Sequence, residues 1–333
     1  YPSYNLSLDL TRTGPFAGRP AVVQGGLFFN TEDIDARTFN VPAAGSGVVG
    51  ALIQRVDGRH ANLGARLRVE YALSSALTLV AGAGVERTWI EALQTAYAYP
   101  AGGGVIAAPI PVRRTFDNFA PEAALTWTAS RNLTLRAHLG RAYGTPQAGN
   151  LFVTPAGVPG NNTGLRPQTM TGLDLGVDWR WEDRLSLSLT AFDEVFRDEL
   201  VSQSAGAGLQ AYSFNAPRSS HRGLVAALDW APAPLAAPGA RFSLAWMRND
   251  QVYRSYVERL SAGGFSTIFD RRGRKIPGVA PDTLNARVTY AQASGPFEGL
   301  GGFLEWSWRA SAFMDNANLL KAPGYSLASA GLS

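Results

Sequence analysis

The 333-residue sequence contains no cysteine and only three histidines. Without cysteine the chain can form no disulfide framework, no thiolate metal site and no cysteine nucleophile. It also lacks any run close to the roughly 20 apolar residues that a transmembrane helix needs. Its 30 basic and 26 acidic residues are spread along the chain and give a net charge of +4. Because a nucleic-acid-binding surface needs a concentrated basic patch, we expect no nucleic-acid partner.

What the sequence has instead is a strict alternation of apolar and polar side chains. In HANLGARLRVEYAL, residues 60–73, every odd position from Ala61 to Tyr71 is apolar, whereas Arg66 and Glu70 lie on even positions. A period of two is typical of a β-strand, since successive side chains point to opposite faces. Averaged over such strands, the mean hydropathy is near zero, here −0.05. A hydropathy scan would therefore miss a membrane β-barrel made of them.

Segments of this kind recur along the whole chain, and 36 glycines and 20 prolines supply turn residues between them. We count thirteen segments and predict an all-β, antiparallel, up-and-down architecture. Their approximate ranges are 3–10, 20–29, 60–72, 76–89, 117–129, 132–143, 168–181, 184–197, 221–230, 240–249, 282–291, 302–313 and 324–333.

The connections between the segments alternate between short and long. Consecutive antiparallel strands run in opposite directions, so alternate connections lie at opposite ends of the sheet. One end would carry short turns, such as 73–75 and 182–183, and the other end large loops, as in outer-membrane barrels. The predicted long loops are 30–59, 90–116, 144–167, 198–220 and 250–281.

The tyrosines and tryptophans at strand ends support the same interpretation. Each lies where a strand leads into a shorter turn, and each shares the parity of its strand's apolar residues. A membrane interface selects such a level of amphipathic rings, because the ring body is buried while its N–H or O–H stays hydrated. A soluble β-sandwich, the alternative, has no reason to place these residues at one end and its long loops at the other. The predicted interface aromatics are Tyr71, Trp127, Trp179, Trp181, Trp230 and Tyr290.

The opposite parity carries polar and charged side chains, which would line the lumen of a barrel. Asp193 and Arg197 depart from this parity, and both lie near the long-loop end of their segment. An arginine facing lipid at mid-bilayer would cost about 2 to 4 kcal/mol, which accounts for the segregation elsewhere. The residues of the polar parity are Arg66, Arg68, Glu70, Glu122, Arg136, His138, Asp174, Asp178, Arg180, Asn285 and Arg287.

Several stretches together resemble the C-terminal barrel region of TonB-dependent outer-membrane receptors. Residues 119–152 resemble paired strands followed by a Gly-Arg and Thr-Pro loop opening, here at Gly140, Arg141, Thr145 and Pro146. Residues 162–181, 215–230, 276–290 and 322–333 resemble later strand signatures of the family, with Gln168 where Glu is usual and Gly223 at a matching position. The order and spacing of these elements are more specific than any one of them.

The resemblance implies a 22-stranded transmembrane barrel preceded by a plug domain and a TonB box. Residues 1–333 would then be a fragment of about 13 barrel strands, without the plug, the early strands and the last strands. It also implies a location in the outer membrane of a Gram-negative bacterium, in contact with outer-membrane lipid. Import would be driven by TonB and its inner-membrane energising complex, which would engage the missing N-terminal parts.

The ligand would be a small molecule, a metal chelate such as a ferric siderophore, captured by the long loops. Arginine with aromatic residues suits an anionic, partly aromatic ligand, through charge-assisted hydrogen bonds and stacking. Ordinary solvated loop chemistry, including contacts with anionic surface lipid, remains the alternative for the same residues. The candidates are Tyr97, Tyr99, Arg113 and Arg114 in one long loop, and Tyr253, Arg254, Tyr256, Arg271, Arg272 and Arg274 in another.

The sequence contains no catalytic constellation, and we expect neither enzyme activity, a metal site nor a cofactor. None of His60, His138 and His221 has a second ligand at metal-binding spacing. Ser219 and His221 are close in sequence, but a nucleophile and its base need an orienting carboxylate. Two other functions stay open at this point: a passive porin or ligand-gated diffusion channel, and an outer-membrane hydrolase with a Ser–His pair adjacent in space.

Overall fold

The computed structural model describes residues 2–41, 47–204, 209–232, 239–262 and 265–333, most of them in β-strands. One short 3₁₀ helix, η1, spans Ala148–Leu151. Within these ranges no helix has the length and apolarity to span a bilayer. The strands are β1 (Ser3–Phe16), β2 (Arg19–Phe39), β3 (Leu52–Ala72), β4 (Leu77–Ala98), β5 (Ile106–Thr128), β6 (Leu133–Gly144), β7 (Gln168–Trp181), β8 (Leu185–Ser204), β9 (Ala211–Trp230), β10 (Ala240–Ser255), β11 (Val257–Ala262), β12 (Phe265–Asp270), β13 (Asp282–Ala291), β14 (Gly301–Arg309), β15 (Ala312–Phe313), β16 (Lys321–Ala322) and β17 (Tyr325–Leu332).

Thirteen of these strands form one antiparallel sheet in the order β1 to β10, then β13, β14 and β17. They correspond one to one to the thirteen predicted segments, so the all-β, up-and-down prediction is confirmed. The sheet does not close on itself, because β1 and β17 are its edges. The hairpin β11–β12 and the short pair β15–β16 lie within long connections.

The predicted loop boundaries were wrong at the long-loop end, because several strands continue well past them. β2 and β3 pair as far as Phe39 and Leu52, and β4 and β5 pair as far as Ala98 and Ile106. Alternation of hydrophobicity is required only where one face meets an apolar medium. Beyond that level the backbone ladder alone continues the strand, and the sequence carries little signal of it. Five residues assigned to loops therefore lie in strands: Tyr97, Arg113, Arg114, Tyr253 and Arg254.

The strand register separates the sheet into an apolar face and a polar face, as predicted. On the apolar face, for example, Leu125 lies opposite Leu79 and Ala137. On the polar face, Thr126 lies opposite Arg136. We call the two ends of the sheet the turn end, where short turns connect strands, and the loop end.

Two phenylalanines on the polar face each lie opposite a glycine on the neighbouring strand. Phe28 lies opposite Gly64, and Phe192 lies opposite Gly223. In both pairs the ring occupies the space that a Cβ on the glycine would need, with ring atoms 2.2 Å and 2.5 Å from that position. The ring thus packs over bare backbone, which keeps it from standing in water on a hydrated face.

The tilt of the strands can be derived from the positions of the aromatic residues at strand ends. The row of hydrogen-bonded partners that contains Tyr71 on β3 reaches Asp282 on β13 after eight strand-to-strand steps. The aromatic residue of β13, Tyr290, lies eight residues from Asp282. The aromatic level therefore shifts by one residue per strand. With a rise of about 3.3 Å and a strand spacing of about 4.8 Å, this corresponds to a tilt of about 35°, within the range of outer-membrane barrels.

A second level of the apolar face lies toward the loop end and consists of cross-strand ion pairs. The pairs are Arg87–Asp117 at 2.6 Å, Arg222–Asp193 at 2.9 Å and Arg248–Asp282 at 2.9 Å. A further pair on the same face, Arg59–Asp33 at 2.8 Å, lies farther toward the loop end, twelve residues from Tyr71.

The distance between the two levels can be worked out from the strands. Asp117 lies ten residues from Trp127, and Arg222 lies eight residues from Trp230. At the tilt derived above, eight to ten residues span about 22 to 27 Å. This equals the apolar band of an outer-membrane barrel, which is about 25 Å tall.

Arg12 is a charged residue on the apolar face at the opposite end of the sheet. It lies opposite Val23, which in turn lies opposite Val69. The hydrogen-bonded row of Tyr71 on β3 reaches Gly14 on β1 after two strand-to-strand steps. With a shift of one residue per strand, the aromatic level on β1 is therefore at Arg12. An arginine at that level can reach water along its aliphatic stem.

Candidate functional site

The polar face holds a groove of about 620 Å³ that crosses the middle of the sheet. Its wall is built by β1 to β8, largely from residues of the polar parity, because the register aligns those residues on one face. The charged and titratable residues around it are Asp9, Arg66, Arg68, Glu122, His138, Arg141, Asp174 and Glu194.

Glycines on intervening strands make room for ion pairs that span two strands. Arg66 on β3 reaches Asp9 on β1 at 2.6 Å, passing over Gly26 on β2. A Cβ on Gly26 would lie 2.6 Å from the Asp9 carboxylate and 2.8 Å from the Arg66 guanidinium. Glycine at this position therefore permits the bridge, and any larger residue would displace it.

The same arrangement continues across the groove as a chain of alternating charges. Arg68 lies 3.4 Å from Glu122, above Gly82 on the intervening strand. The His138 ring lies 3.7 Å from Glu122 and 3.3 Å from Asp174. Paired charges of this kind keep a wall hydrated without giving it one dominant sign. The groove is thus suited to line an aqueous passage.

At the loop end, the connection between β6 and β7 folds against the polar face. Leu151, Phe152 and Leu165 of this connection are fully buried against Ile90 and Phe116 of β4 and β5. Burying an aliphatic or aromatic side chain of this size contributes about 1.5 to 3 kcal/mol. The β6–β7 connection therefore packs firmly over the polar face at the loop end.

The first group of predicted ligand residues does not form one site. Arg114 donates to the carbonyl oxygen of Leu165 at 3.0 Å and so holds the β6–β7 connection. Arg113 is exposed on the parity of the apolar face, where it pairs with Glu91 at 2.6 Å. Tyr97 shares that parity. Tyr99, just beyond β4, is exposed and donates its hydroxyl to the carbonyl oxygen of Leu52 at 2.8 Å.

In the second group, Tyr253, Tyr256 and Arg271 come together but are buried, each less than a tenth exposed. The two tyrosine rings lie 4.6 Å apart, and Tyr256 also stacks on Phe214 at 5.9 Å. Burial raises the pKa of Tyr256 to about 12, so its hydroxyl stays neutral. Arg271 and Glu258 form a buried ion pair at 2.7 Å. These three candidates stabilise the loop end from within, where they are not open to a ligand.

Sequence reasoning missed Glu258 and Asn316. Their hydrogen bond joins the β11–β12 hairpin to the segment between β15 and β16. Asn316 accepts a hydrogen bond from the Tyr253 hydroxyl at 2.9 Å and donates to Glu258 at 2.6 Å. These partners lie 63 and 58 residues apart in the sequence. No local pattern could have paired them. Of the remaining candidates, Arg254 donates to Ser220, whereas Arg272 and Arg274 are exposed.

Near Asn316, Asp315 organises a tight turn by accepting three backbone N–H groups. The donors are Leu320 at 2.8 Å, Leu319 at 3.0 Å and Ala317 at 3.1 Å. These bonds, that of Leu320 first, hold the pKa of Asp315 below its usual value. The charged carboxylate therefore fixes the turn next to β16.

Ser219 and His221 are adjacent in space, as a hydrolase would require. The Ser219 hydroxyl lies 3.3 Å from Nε2 of His221, and Nδ1 of that ring lies 4.0 Å from Glu194. The serine is completely buried, however, and its hydroxyl donates to Glu199 at 2.8 Å. A nucleophile has to reach its substrate, so this cluster is a packed polar network rather than a catalytic site. In the described part of the chain, no group of three or more His, Asp or Glu is arranged to hold a metal ion.

The six predicted interface aromatics all lie on the apolar face at the turn end. Their rings are not packed into a core: those of Trp127 and Trp181 are about half exposed, and Trp179, Trp230 and Tyr290 are 36 to 43% exposed. Tyr71 contacts Phe16 edge-on at 6.3 Å.

The chain matches the family described as TonB dependent receptor-like, beta-barrel, over residues 1–333. Among solved structures it is similar to the ferric yersiniabactin uptake receptor FyuA from Yersinia pestis, at 12% identity and a TM-score of 0.69. It is also similar to the ferric-catecholate import receptor Fiu from K12 E. coli, at 14% and 0.70, and to the ferric citrate transporter FecA, at 14% and 0.71. These alignments cover 98 to 99% of this chain but 46 to 48% of those proteins. At such identities the likeness shows the fold, and the chain spans about half the length of these structures.

Proposed function

The chain belongs to the TonB-dependent receptor β-barrel family, and on that premise we propose that it is part of an outer-membrane receptor that imports a scarce ligand, a ferric siderophore. The family match over the whole chain is the observation that carries this proposal. The names of similar structures, which include uptake receptors for ferric yersiniabactin and ferric catecholates, support an iron chelate as the ligand.

The geometry of the sheet supports placement in the outer membrane of a Gram-negative bacterium. The apolar face is bounded by the six interface aromatics at the turn end and by the Arg–Asp pairs at the loop end, about 22 to 27 Å apart. The polar face would line the barrel interior, where its paired charges stay hydrated. Further strands would complete the 22-stranded barrel, and a plug domain and TonB box would connect it to TonB and the inner-membrane energising complex.

Ligand contacts would come from the exposed members of the predicted set. Arg272 and Arg274 are exposed in the connection after β12, and within the described residues their side chains form no ion pair. Tyr99 is the exposed aromatic of the other group. The buried residues Tyr253, Tyr256 and Arg271 would hold the segment that carries Arg272 and Arg274 in place. An anionic chelate would gain charge-assisted hydrogen bonds from the two free guanidinium groups.

The proposal is tested by iron uptake in a deletion strain that expresses the complete protein containing this chain. Radiolabelled ferric citrate, a ferric catecholate and a ferric hydroxamate would be supplied separately. We expect accumulation of at least one chelate, lost when TonB is deleted or the proton gradient is collapsed. Accumulation that persists without TonB would instead identify a passive channel, and no accumulation of any chelate would refute an iron cargo.

A pair of variants tests the ligand contacts. Arg272→Ala with Arg274→Ala should weaken chelate binding by tenfold or more, since a hydrogen bond to a charged group contributes about 1.5 to 3 kcal/mol. Arg113→Ala, an exposed arginine already paired with Glu91 on the apolar face, is the matched control and should leave binding unchanged. Equal effects of the two changes would contradict the assignment.

A further inference from the structure

One strand pair departs from the pattern of ion pairs at the loop end of the apolar face. On β8 and β9, Arg197 lies directly opposite Arg218, and both side chains are exposed. Neither guanidinium forms a hydrogen bond or ion pair within the described residues. Like charges directly opposite each other in a sheet are destabilising. The arrangement therefore calls for an anion that the chain itself does not supply.

A second Arg–Arg pair in the same sheet shows how the chain neutralises such a contact elsewhere. Arg37 lies opposite Arg55 on β2 and β3. Asp35 lies 3.0 Å from Arg37, and Asp57 lies 2.6 Å from Arg55. Each arginine of that pair thus has its own carboxylate, and Arg197 and Arg218 do not.

The carboxylates closest in sequence to Arg197 already have other partners. Asp193 pairs with Arg222 at 2.9 Å, and Asp198 pairs with Arg166 at 2.5 Å. Glu199 accepts the Ser219 hydroxyl on the polar face. Glu194 also lies on the polar face, 4.0 Å from His221. None of them is left to compensate the pair.

A third arginine joins the two on the next strand. Arg254, at a bulge in β10, donates through Nε to the Ser220 hydroxyl at 2.7 Å. Ser220 is buried and has the parity of Arg218, so this bond places Arg254 on the same face, beside the pair. Three arginines from consecutive strands therefore occupy neighbouring positions on one face, and we call Arg197, Arg218 and Arg254 the arginine cluster.

The height of the arginine cluster indicates the source of the anion. Arg218 lies four residues beyond Arg222, which marks the loop-end edge of the apolar band. Four residues at the strand tilt derived above span about 11 Å. The interfacial and headgroup region extends about 5 to 7.5 Å beyond the hydrocarbon on each side of a bilayer. The backbone of the cluster therefore lies just outside that region, and the long arginine side chains can reach back to its phosphates. The cluster thus faces lipid phosphates of the outer leaflet rather than the barrel interior.

We propose that the arginine cluster is a binding site for the phosphate groups of an outer-leaflet glycolipid. Guanidinium groups form bidentate hydrogen bonds with phosphate oxygens. A lipid seated there converts the repulsion between Arg197 and Arg218 into joint coordination of one anion, while its acyl chains lie along the apolar face below. The site rests on the membrane placement proposed above and not on the identity of the cargo, so a failed iron-uptake assay would leave it standing.

The test uses the complete protein, purified in neutral detergent and titrated with lipid A, with dephosphorylated lipid A and with inorganic phosphate, followed by native mass spectrometry. The variant is Arg197→Gln with Arg218→Gln. The control is Arg59→Gln with Arg87→Gln, which removes two charges from the loop-end part of the same face, where each arginine has a carboxylate partner.

We expect lipid A to bind more tightly than its dephosphorylated form. Each arginine near an anionic lipid surface contributes about fivefold, so the cluster variant should bind lipid A about thirtyfold more weakly. The control variant should lose about threefold or less, because its arginines are already neutralised. Without lipid, the single change Arg218→Gln and the cluster variant should each raise the melting temperature, since both relieve the repulsion between the two arginines. The same measurement shows that both variants fold.

Three results would overturn the proposal. Dephosphorylated lipid A binding as tightly as lipid A would exclude phosphate recognition. Inorganic phosphate alone binding as tightly as lipid A would make the cluster a site for free anions. Equal losses in the cluster and control variants would show a general charge effect of the surface.

Discussion

Replacement of Leu175 by arginine tests the depth scale derived from the strand register. Leu175 lies on the apolar face, four residues from Trp179 on β7. At a tilt of about 35° this is about 11 Å above the aromatic level, close to the middle of a band about 22 to 27 Å tall. An arginine facing lipid at that depth costs about 2 to 4 kcal/mol.

Two neighbouring positions on the same strand extend this to a series. Val177 lies about 5 Å above the aromatic level, where the cost of arginine should fall toward about 1 kcal/mol. Leu173 lies about 16 Å above it and directly opposite Asp193. An arginine at 173 would gain that carboxylate as a neighbour, so its cost should also be below that of Leu175→Arg.

Thr190 provides the matched control, because it lies one strand away at a similar level but on the polar face, opposite Gly176. Thr190→Arg should change stability by less than about 1 kcal/mol. The measurement is guanidinium unfolding of the complete protein in phosphatidylcholine vesicles, followed by tryptophan fluorescence, with the midpoint compared at constant slope. If Thr190→Arg costs as much as Leu175→Arg, or if the three apolar-face variants cost the same, the assignment of faces and depth is wrong.

Three further outcomes are expected. Gly223→Ala should destabilise the fold by about 1 to 3 kcal/mol or more in the same unfolding assay, because the new Cβ would lie 1.9 Å from the carbonyl oxygen of Arg248; an unchanged midpoint would contradict the close approach. Arg271→Ala should lower the free energy of unfolding by roughly 3 to 5 kcal/mol, because Glu258 is left buried without its cation. Limited proteolysis of the variant should then cut the β11–β12 hairpin, and a hairpin that stays resistant would show that the ion pair is dispensable. Asp315 has a folded-state pKa below the unfolded value near 3.8, so its contribution to stability is complete above pH 3.8 and is lost as pH falls through the folded-state pKa. Over that pH range, hydrogen exchange should accelerate at the backbone amides that donate hydrogen bonds to Asp315. Asp315→Asn should remove this pH dependence.

Much of the fold could be predicted from the sequence, because the strand signal is local. Alternation over 60–73 and its twelve counterparts depends only on which face of a strand each residue occupies, and all thirteen strands are present. The aromatic residues could be assigned to one level for the same reason, since position within a strand sets height. The extensions of β2 to β5 toward the loop end could not be predicted, because cross-strand hydrogen bonds and ion pairs form them without hydrophobic alternation.

The candidate site was less accessible to sequence reasoning. Tyr253, Tyr256 and Arg271 have the composition of a ligand surface, yet contacts with Phe214, Glu258 and Asn316 bury them. Arg113 and Arg114 are neighbours in sequence but face opposite sides of β5, and only the register shows which side each one faces.

By itself, the sequence determined the strands, their two faces and the level of the aromatic residues, because a period of two and the preference of indoles and phenols for an interface are properties of single strands. Only the tertiary structure decided which charges find partners. Arg222 meets Asp193, whereas Arg197 meets Arg218 a few residues away. Pairing of this kind depends on register between strands and on loops that return from distant parts of the chain, and an electrostatic contact is set by distance in space rather than by separation in sequence.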